Sequence, residues 1–154
     1  MLTEDIFNNM NLLCVYDKGN FIKYNANNNL YNVYVIKNDN NNSYYVGLTF
    51  GYCLYRIKRH LNTNTNEICC AGSVYLLEQL DNEEDMRRME KIWIRWFDKY
   101  SNCINKIKYN DWWKGMWYMD LNRIKKSNYI KLLNDNTIEP LSIQIVNGKN
   151  KLDI

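Results

Sequence analysis

Tyr34 and Tyr45 lie eleven residues apart on either side of an Asn-rich run, and Arg56 and His60 follow with the four-residue spacing of one helical turn. Each side chain type has its own chemistry. A guanidinium is a planar fork of donors that suits phosphate oxygens. An imidazole titrates near neutrality and can accept or relay a proton. A phenol, with an ordinary pKa of ~10, is a poor base unless a neighbouring cation favours the phenolate; otherwise it can position a water. Glu90 adds a carboxylate. On a helical wheel of ~100° per residue it falls between Phe97 and Ile94, at the margin of an apolar face and apart from the other charges. Taken singly, these residues have ordinary readings: half-buried strand aromatics, solvated helix charges, a satisfied imidazole, a carboxylate paired with Arg87. Only together do they suggest one site.

The elements that must position them are legible from period and turn chemistry. Residues 31–37 alternate with Val, Tyr and Ile, as a strand does. Asn38-Asp39-Asn40-Asn41-Asn42 reads as a turn, because Asn tolerates left-handed backbone angles. Residues 43–48 form the return strand of an antiparallel hairpin. Gly47 is expected to end that strand, where a missing side chain lets a backbone or a phosphate come close. Leu54, Ile57 and Leu61 then make one helical stripe, with Arg56 and His60 on another face. Residues 74–80 predict a third, central strand.

Asp81 is expected to cap a helix whose first turn carries Glu83 and Glu84, acids that complement its dipole. Its stripe of Met86, Met89, Trp93, Trp96, Phe97 and Tyr100 is the buried one. Before the hairpin, Phe7, Met10, Leu12 and Leu13 suggest a helical turn, and Val15-Tyr16 and Phe21-Ile22 suggest short strands around Asp17-Lys18-Gly19-Asn20. After it, residues 121–133 predict a helix and 142–146 a last strand. The organisation expected is an N-terminal arm (1–30), a core (31–107) and a basic, aromatic extension (108–154).

Composition narrows the class. The 154 residues suit one domain with its own core. A hydrophobic content of 46% argues against disorder. Net charge is +3, which permits a nucleic-acid partner without requiring one. The five cysteines make no CxxC pair and the one histidine completes no zinc pattern, so the thiols are expected to be reduced and structural. With no signal-like start and no apolar run long enough to span a bilayer, the protein is expected to work inside a cell, in cytoplasm or nucleus, with no membrane partner. From Lys106 to Lys131, seven Lys/Arg face only Asp111 and Asp120. Trp112, Trp113 and Trp117 lie in the same stretch; core or lid packing is the favoured reading over base stacking.

Over about residues 31–107 the chain resembles the GIY-YIG nucleases. The first name motif appears as Asn32-Val33-Tyr34, with Asn in place of the first glycine, and the second as Tyr45-Val46-Gly47. Arg56 and His60 look like the family's helix arginine and the His or Tyr four residues on. Glu90, in Met89-Glu90-Lys91-Ile92-Trp93-Ile94, looks like its metal-binding glutamate, and Asn105 like its late asparagine. Two departures stand out. The connection over residues 62–73 is so short that the second helix many members carry there is shortened or missing, and Leu48 replaces a polar or basic residue that some members use near the phosphate.

The resemblance implies an α/β (α+β) fold: a small three-stranded antiparallel sheet flanked by helices. It also implies a DNA endonuclease that depends on Mg²⁺ or Mn²⁺. Hydrolysis of a phosphodiester needs an activated water, neutralisation of developing charge and protonation of the leaving oxygen. Glu90 would hold the one metal, Arg56 the phosphate, Tyr45 with Tyr34 the water, and His60 the proton. Asn105 and Gly47 would support them. Lys58, Arg59, Lys106, Lys108 and Lys114 are candidate DNA contacts. Specificity would come from the extension, a homodimer, a protein partner, or branched or structured DNA. The competing expectation is a binding or structural module of the same descent that has lost catalysis. If the extension binds DNA, removing residues 109–154 weakens affinity and flattens its salt dependence.

Overall fold

The computed structural model describes residues 4–8, 10–17, 20–25, 31–51, 57, 71–106 and 127–138. Its elements in chain order are α1 (Glu4–Phe7), β1 (Asn11–Asp17), β2 (Asn20–Tyr24), β3 (Tyr31–Asn38), β4 (Ser43–Phe50), β5 (Ala71–Leu80), α2 (Glu83–Tyr100), β6 (Asn102–Cys103) and α3 (Asn128–Asn134). The strands form one sheet in the order β2-β1-β5-β3-β4-β6.

The expected antiparallel trio is there as β5-β3-β4, but the sheet has six strands. β1 and β2 form a hairpin hydrogen-bonded to the free edge of β5, and β6 pairs parallel with the start of β4. Leu12 and Leu13, expected in a helical turn, belong to β1. Cys14 and Tyr16 on that strand are fully buried.

The β3–β4 turn follows its composition. Asn38 Oδ1 accepts the Asn40 amide at 2.9 Å, Asn41 Oδ1 accepts the Ser43 amide at 3.0 Å, and Asn42 takes a φ of 54°. These are local bonds of the kind that short polar side chains make with nearby backbone, and the left-handed residue of this turn is an asparagine. β4 runs on to Phe50, so Gly47 lies within the strand, opposite Tyr34, and does not end it. α2 spans the expected residues, yet its cap is Asn82, whose Oδ1 accepts the Asp85 amide at 2.8 Å. Asp81 is one position too early to reach that amide. Along the exposed side, Arg87 pairs with Glu83 at 2.8 Å and Arg88 with Glu84, each one turn apart. Within the predicted helix 121–133, α3 begins at Asn128; residues 121–126 and the strand expected at 142–146 lie outside the described residues.

The sheet is covered on both faces, so β3 reads as an almost continuous buried run. On one face Val33, Val35, Tyr44, Val46 and Leu77 meet the α2 stripe of Met86, Met89, Trp93, Trp96 and Phe97, with Phe7 and Tyr129 added. On the other, Tyr34, Ile36, Val74, Cys14 and Tyr16 pack together with Ile57. Among the described residues, no helix is long and apolar enough to cross a membrane.

Burial pushes the Cys14 thiol up to about 12. The thiolate is the reactive species, so Cys14 should stay unlabelled when the native protein meets iodoacetamide at pH 8 and react only after denaturation. Peptide mass mapping checks this, and native labelling of Cys14 would contradict the burial.

Candidate active site

Tyr34, Tyr45, Gly47 and Asn105 meet on β4. Tyr45 lies on it, half-buried, and packs against the Tyr34 face of the sheet. Tyr34 is opposite Gly47 and Tyr45 opposite Ile36, which makes the two tyrosines diagonal cross-strand neighbours on one face. Their exposure differs: Tyr34 is 0% exposed, so of the two only Tyr45 presents surface to solvent.

Gly47 explains where the Tyr34 ring goes. A Cβ at Gly47 would sit 2.5 Å from both Cζ and Oη of Tyr34. The absent side chain therefore makes room for a phenol, not for the backbone or phosphate expected from the sequence. Gly47→Ala should cost about 1–3 kcal/mol of stability, as overpacked cores do. Urea unfolding measures this, and in a Tyr34→Val background the same Gly47→Ala change should cost much less. An alanine variant as stable as the wild type would mean the ring has another place to go.

Asn105 closes the open edge of β4. β6 pairs with Ser43 and Tyr44, and the Ile104 amide bonds the Tyr44 carbonyl at 2.9 Å. One residue on, Asn105 takes over with its side chain: Oδ1 accepts the Val46 N–H at 2.9 Å and Nδ2 donates to the Val46 carbonyl at 2.8 Å. Cys103 Sγ donates to the same Oδ1 at 3.3 Å. The amide thus imitates one more strand residue, gripping the centre of Tyr45-Val46-Gly47. Lys106 follows it, exposed.

Glu90 lies on α2, the helix that packs on the other face of the sheet, where Phe97 stacks on Tyr44 with ring centroids 5.1 Å apart. Its side chain is half-buried, as its marginal place on the stripe predicted. Arg56, His60, Lys58, Arg59, Lys108 and Lys114 lie outside the described residues, but Ile57, next to Arg56, is fully buried on the tyrosine face.

The group missed from the sequence is Glu78. A bulge between the Val33 and Tyr34 pairings turns this β5 residue to the α2 face. There, 2% exposed, it accepts Trp93 Nε1–H at 2.9 Å, Ser127 Oγ–H at 2.8 Å and the amides of Tyr129, at 2.9 Å, and Asn128. Burial raises its pKa, opposed by these four bonds. A carboxylate inside the apolar run 74–80 was the available signal. Its partners show a structural tie between the sheet, α2 and α3.

Among the described residues, no three of His, Cys, Asp and Glu gather as a metal cage. Glu90 carries a half-buried carboxylate on α2. That suits Mg²⁺, which is bound through one or two carboxylates and otherwise keeps waters and substrate phosphate oxygens.

The family sequence model described as the GIY-YIG catalytic domain matches residues 30–108, just over half of the chain. No curated protein and no solved structure matches the chain.

Proposed function

This chain belongs to the GIY-YIG family, a family of nucleases acting on nucleic acid, and from that premise we propose that it is a Mg²⁺-dependent DNA endonuclease with one metal. The observation that supports the reading best is the convergence on β4. Tyr45 lies half-buried on one face of that strand, Tyr34 packs beside it against Gly47, and Asn105 grips the strand's backbone at Val46.

In this reading Tyr45, which reaches the surface, orients or deprotonates the attacking water. Tyr34, buried against Gly47, holds the hairpin and the neighbouring phenol in register. Arg56 grips the non-bridging oxygens of the scissile phosphate, and His60 carries a proton toward the leaving oxygen. Glu90 would hold Mg²⁺, which when bound neutralises charge developing on the phosphate. A phenol is a weak base at neutral pH, and in this reading the charge of Arg56 would also lower the cost of a phenolate. Lys106 and the lysines beyond it supply backbone contacts, and preference for a branch or a sequence comes from the extension, a homodimer or a partner.

The test is cleavage of supercoiled plasmid and of a branched duplex, with Mg²⁺ and with EDTA. Nicking or cutting that requires Mg²⁺ and leaves defined ends supports the proposal. Intact DNA in both metal conditions would sink it. Scattered ends from a random-sequence library would exclude a sequence-reading enzyme.

A further inference from the structure

Among the described residues two large apolar side chains stand in water: Ile22, 69% exposed, and Phe50, 55% exposed. Ile22 is on β2 and Phe50 ends β4, toward opposite edges of the sheet, so they form no common patch. A stable protein interface buries about 800 Å² on each partner, far more than a single ring supplies. What one exposed ring does match is the face of a nucleobase.

Phe50 is presented for that contact. Tyr44 and Val46 lie in the core shared with α2 and Leu48 packs against it; Phe50, next on that face, is the first to leave it. Its ring meets that of Tyr31, its partner on β3, in a T-shaped contact with centroids 5.0 Å apart and planes at 74°. Such a contact holds the ring in place and covers at most one of its faces.

The backbone beside it offers donors. Tyr44 and Val46 turn their outward polar groups to Ile104 and to the Asn105 amide. By the alternation of an antiparallel pair, Leu48 and Phe50 turn theirs the same way. β6 pairs only with Ser43 and Tyr44, and among the described residues no strand reaches Leu48 or Phe50 from that side. Main-chain N–H groups of this kind serve phosphate oxygens as well as they serve another strand. Lys106, exposed and next to Asn105, brings a cation to the same edge.

We propose that the Phe50 end of β4 is a subsite for one unpaired nucleotide of the DNA substrate. The Phe50 ring stacks on the base, while the outward N–H groups and Lys106 hold the adjoining phosphates. The proposal rests on the nuclease reading and narrows its substrate class to DNA with unpaired bases, because a base inside a duplex has no face to offer.

The test compares the full chain with Phe50→Ala and Phe50→Leu. Anisotropy in Ca²⁺ reads binding to a continuous duplex and to the same duplex carrying a single-stranded flap. Leu keeps apolar bulk against Tyr31 but has no aromatic face. Both variants should bind flapped DNA about 5–100-fold more weakly, the worth of one base–aromatic stack, and bind the continuous duplex as the wild type does. An abasic nucleotide stepped through the flap should weaken wild-type binding at one position. Phe50→Ala should be indifferent there, since both changes remove one contact. Wild-type affinity of Phe50→Ala for the flap would overturn the proposal, and so would an equal loss on both substrates. Weaker self-association of Phe50→Ala with flap binding unchanged would make the ring a contact between copies of the chain instead. A wild type that cuts with Mg²⁺, beside a Phe50→Ala that binds the flap equally well, leaves the nuclease reading standing without this subsite. A wild type that holds the flap through Phe50 but never cuts keeps the subsite and sinks the nuclease reading.

Discussion

Glu90→Gln should reduce single-turnover DNA cleavage about 10²–10³-fold, the cost of losing one group that organises transition-state charge. The two side chains have nearly the same shape, and the site is half-buried at the helix margin. Folding stability should therefore change by no more than about 0.5 kcal/mol, as for substitutions away from core features. The amide cannot supply the anionic oxygen that Mg²⁺ requires. Raising Mg²⁺, or substituting Mn²⁺, should recover little of the rate, and affinity for DNA in Ca²⁺ should be nearly retained. Equal cleavage by variant and wild type would remove Glu90 from the site while leaving the fold assignment untouched. Of the substitutions discussed, this one separates chemistry from architecture best, because Glu90 lies at the margin of α2 without filling the core.

The second large effect concerns stability. Glu78→Leu should destabilise the protein by about 3 kcal/mol or more, since a buried donor left unpaired costs about 1–3 kcal/mol and four donors converge on this carboxylate. Glu78→Gln should cost less. Three of the four bonds go to Oε2, which the amide oxygen can replace, and only the Asn128 amide would face an N–H₂. Urea unfolding followed by Trp fluorescence measures both, because Trp93 is one of the donors.

The pH dependence has a definite sign. The folded pKa of Glu78 is raised above the ordinary 4.5, chiefly by burial. Its contribution to stability is then fully present below that ordinary value and is lost as pH rises through the folded pKa. The stability difference between wild type and Glu78→Gln should accordingly shrink, in the wild type's disfavour, as pH is raised from 4 toward neutrality. A difference that grows over that range would mean the four donors outweigh burial.

Glu78 also changes how the basic extension can be tested. Cutting the chain after Lys108 removes Ser127, Asn128 and Tyr129, and with them three of the bonds that satisfy a buried carboxylate. Loss of affinity in such a fragment would mix electrostatics with unfolding. Replacing Lys106, Lys108 and Lys114 by Gln in the whole chain leaves the tie intact. It should weaken DNA binding and reduce the slope of log affinity against log salt by about one for each phosphate no longer neutralised. An unchanged slope would dissociate these lysines from the DNA backbone.

By itself the sequence determined the β3–β4 hairpin, its asparagine turn, the span of α2 and the marginal position of Glu90. Each depends on residues within a turn or two of one another: side-chain alternation, short amides bonding their own backbone, an apolar stripe of helical period. Contacts between distant parts of the chain emerged only from the folded arrangement. Asn105 grips Val46 across 59 positions, and Glu78 meets Ser127 across 49. Gly47 looks like a strand end until the Tyr34 ring is seen filling the space of its missing side chain. Asn32 looks like a lost glycine until its amide is found on the Gly51 carbonyl. Periodicity records which face a residue takes. It does not record which strand pairs beyond the next, nor where a bulge turns a carboxylate inward, because those follow from sheet order and burial in three dimensions.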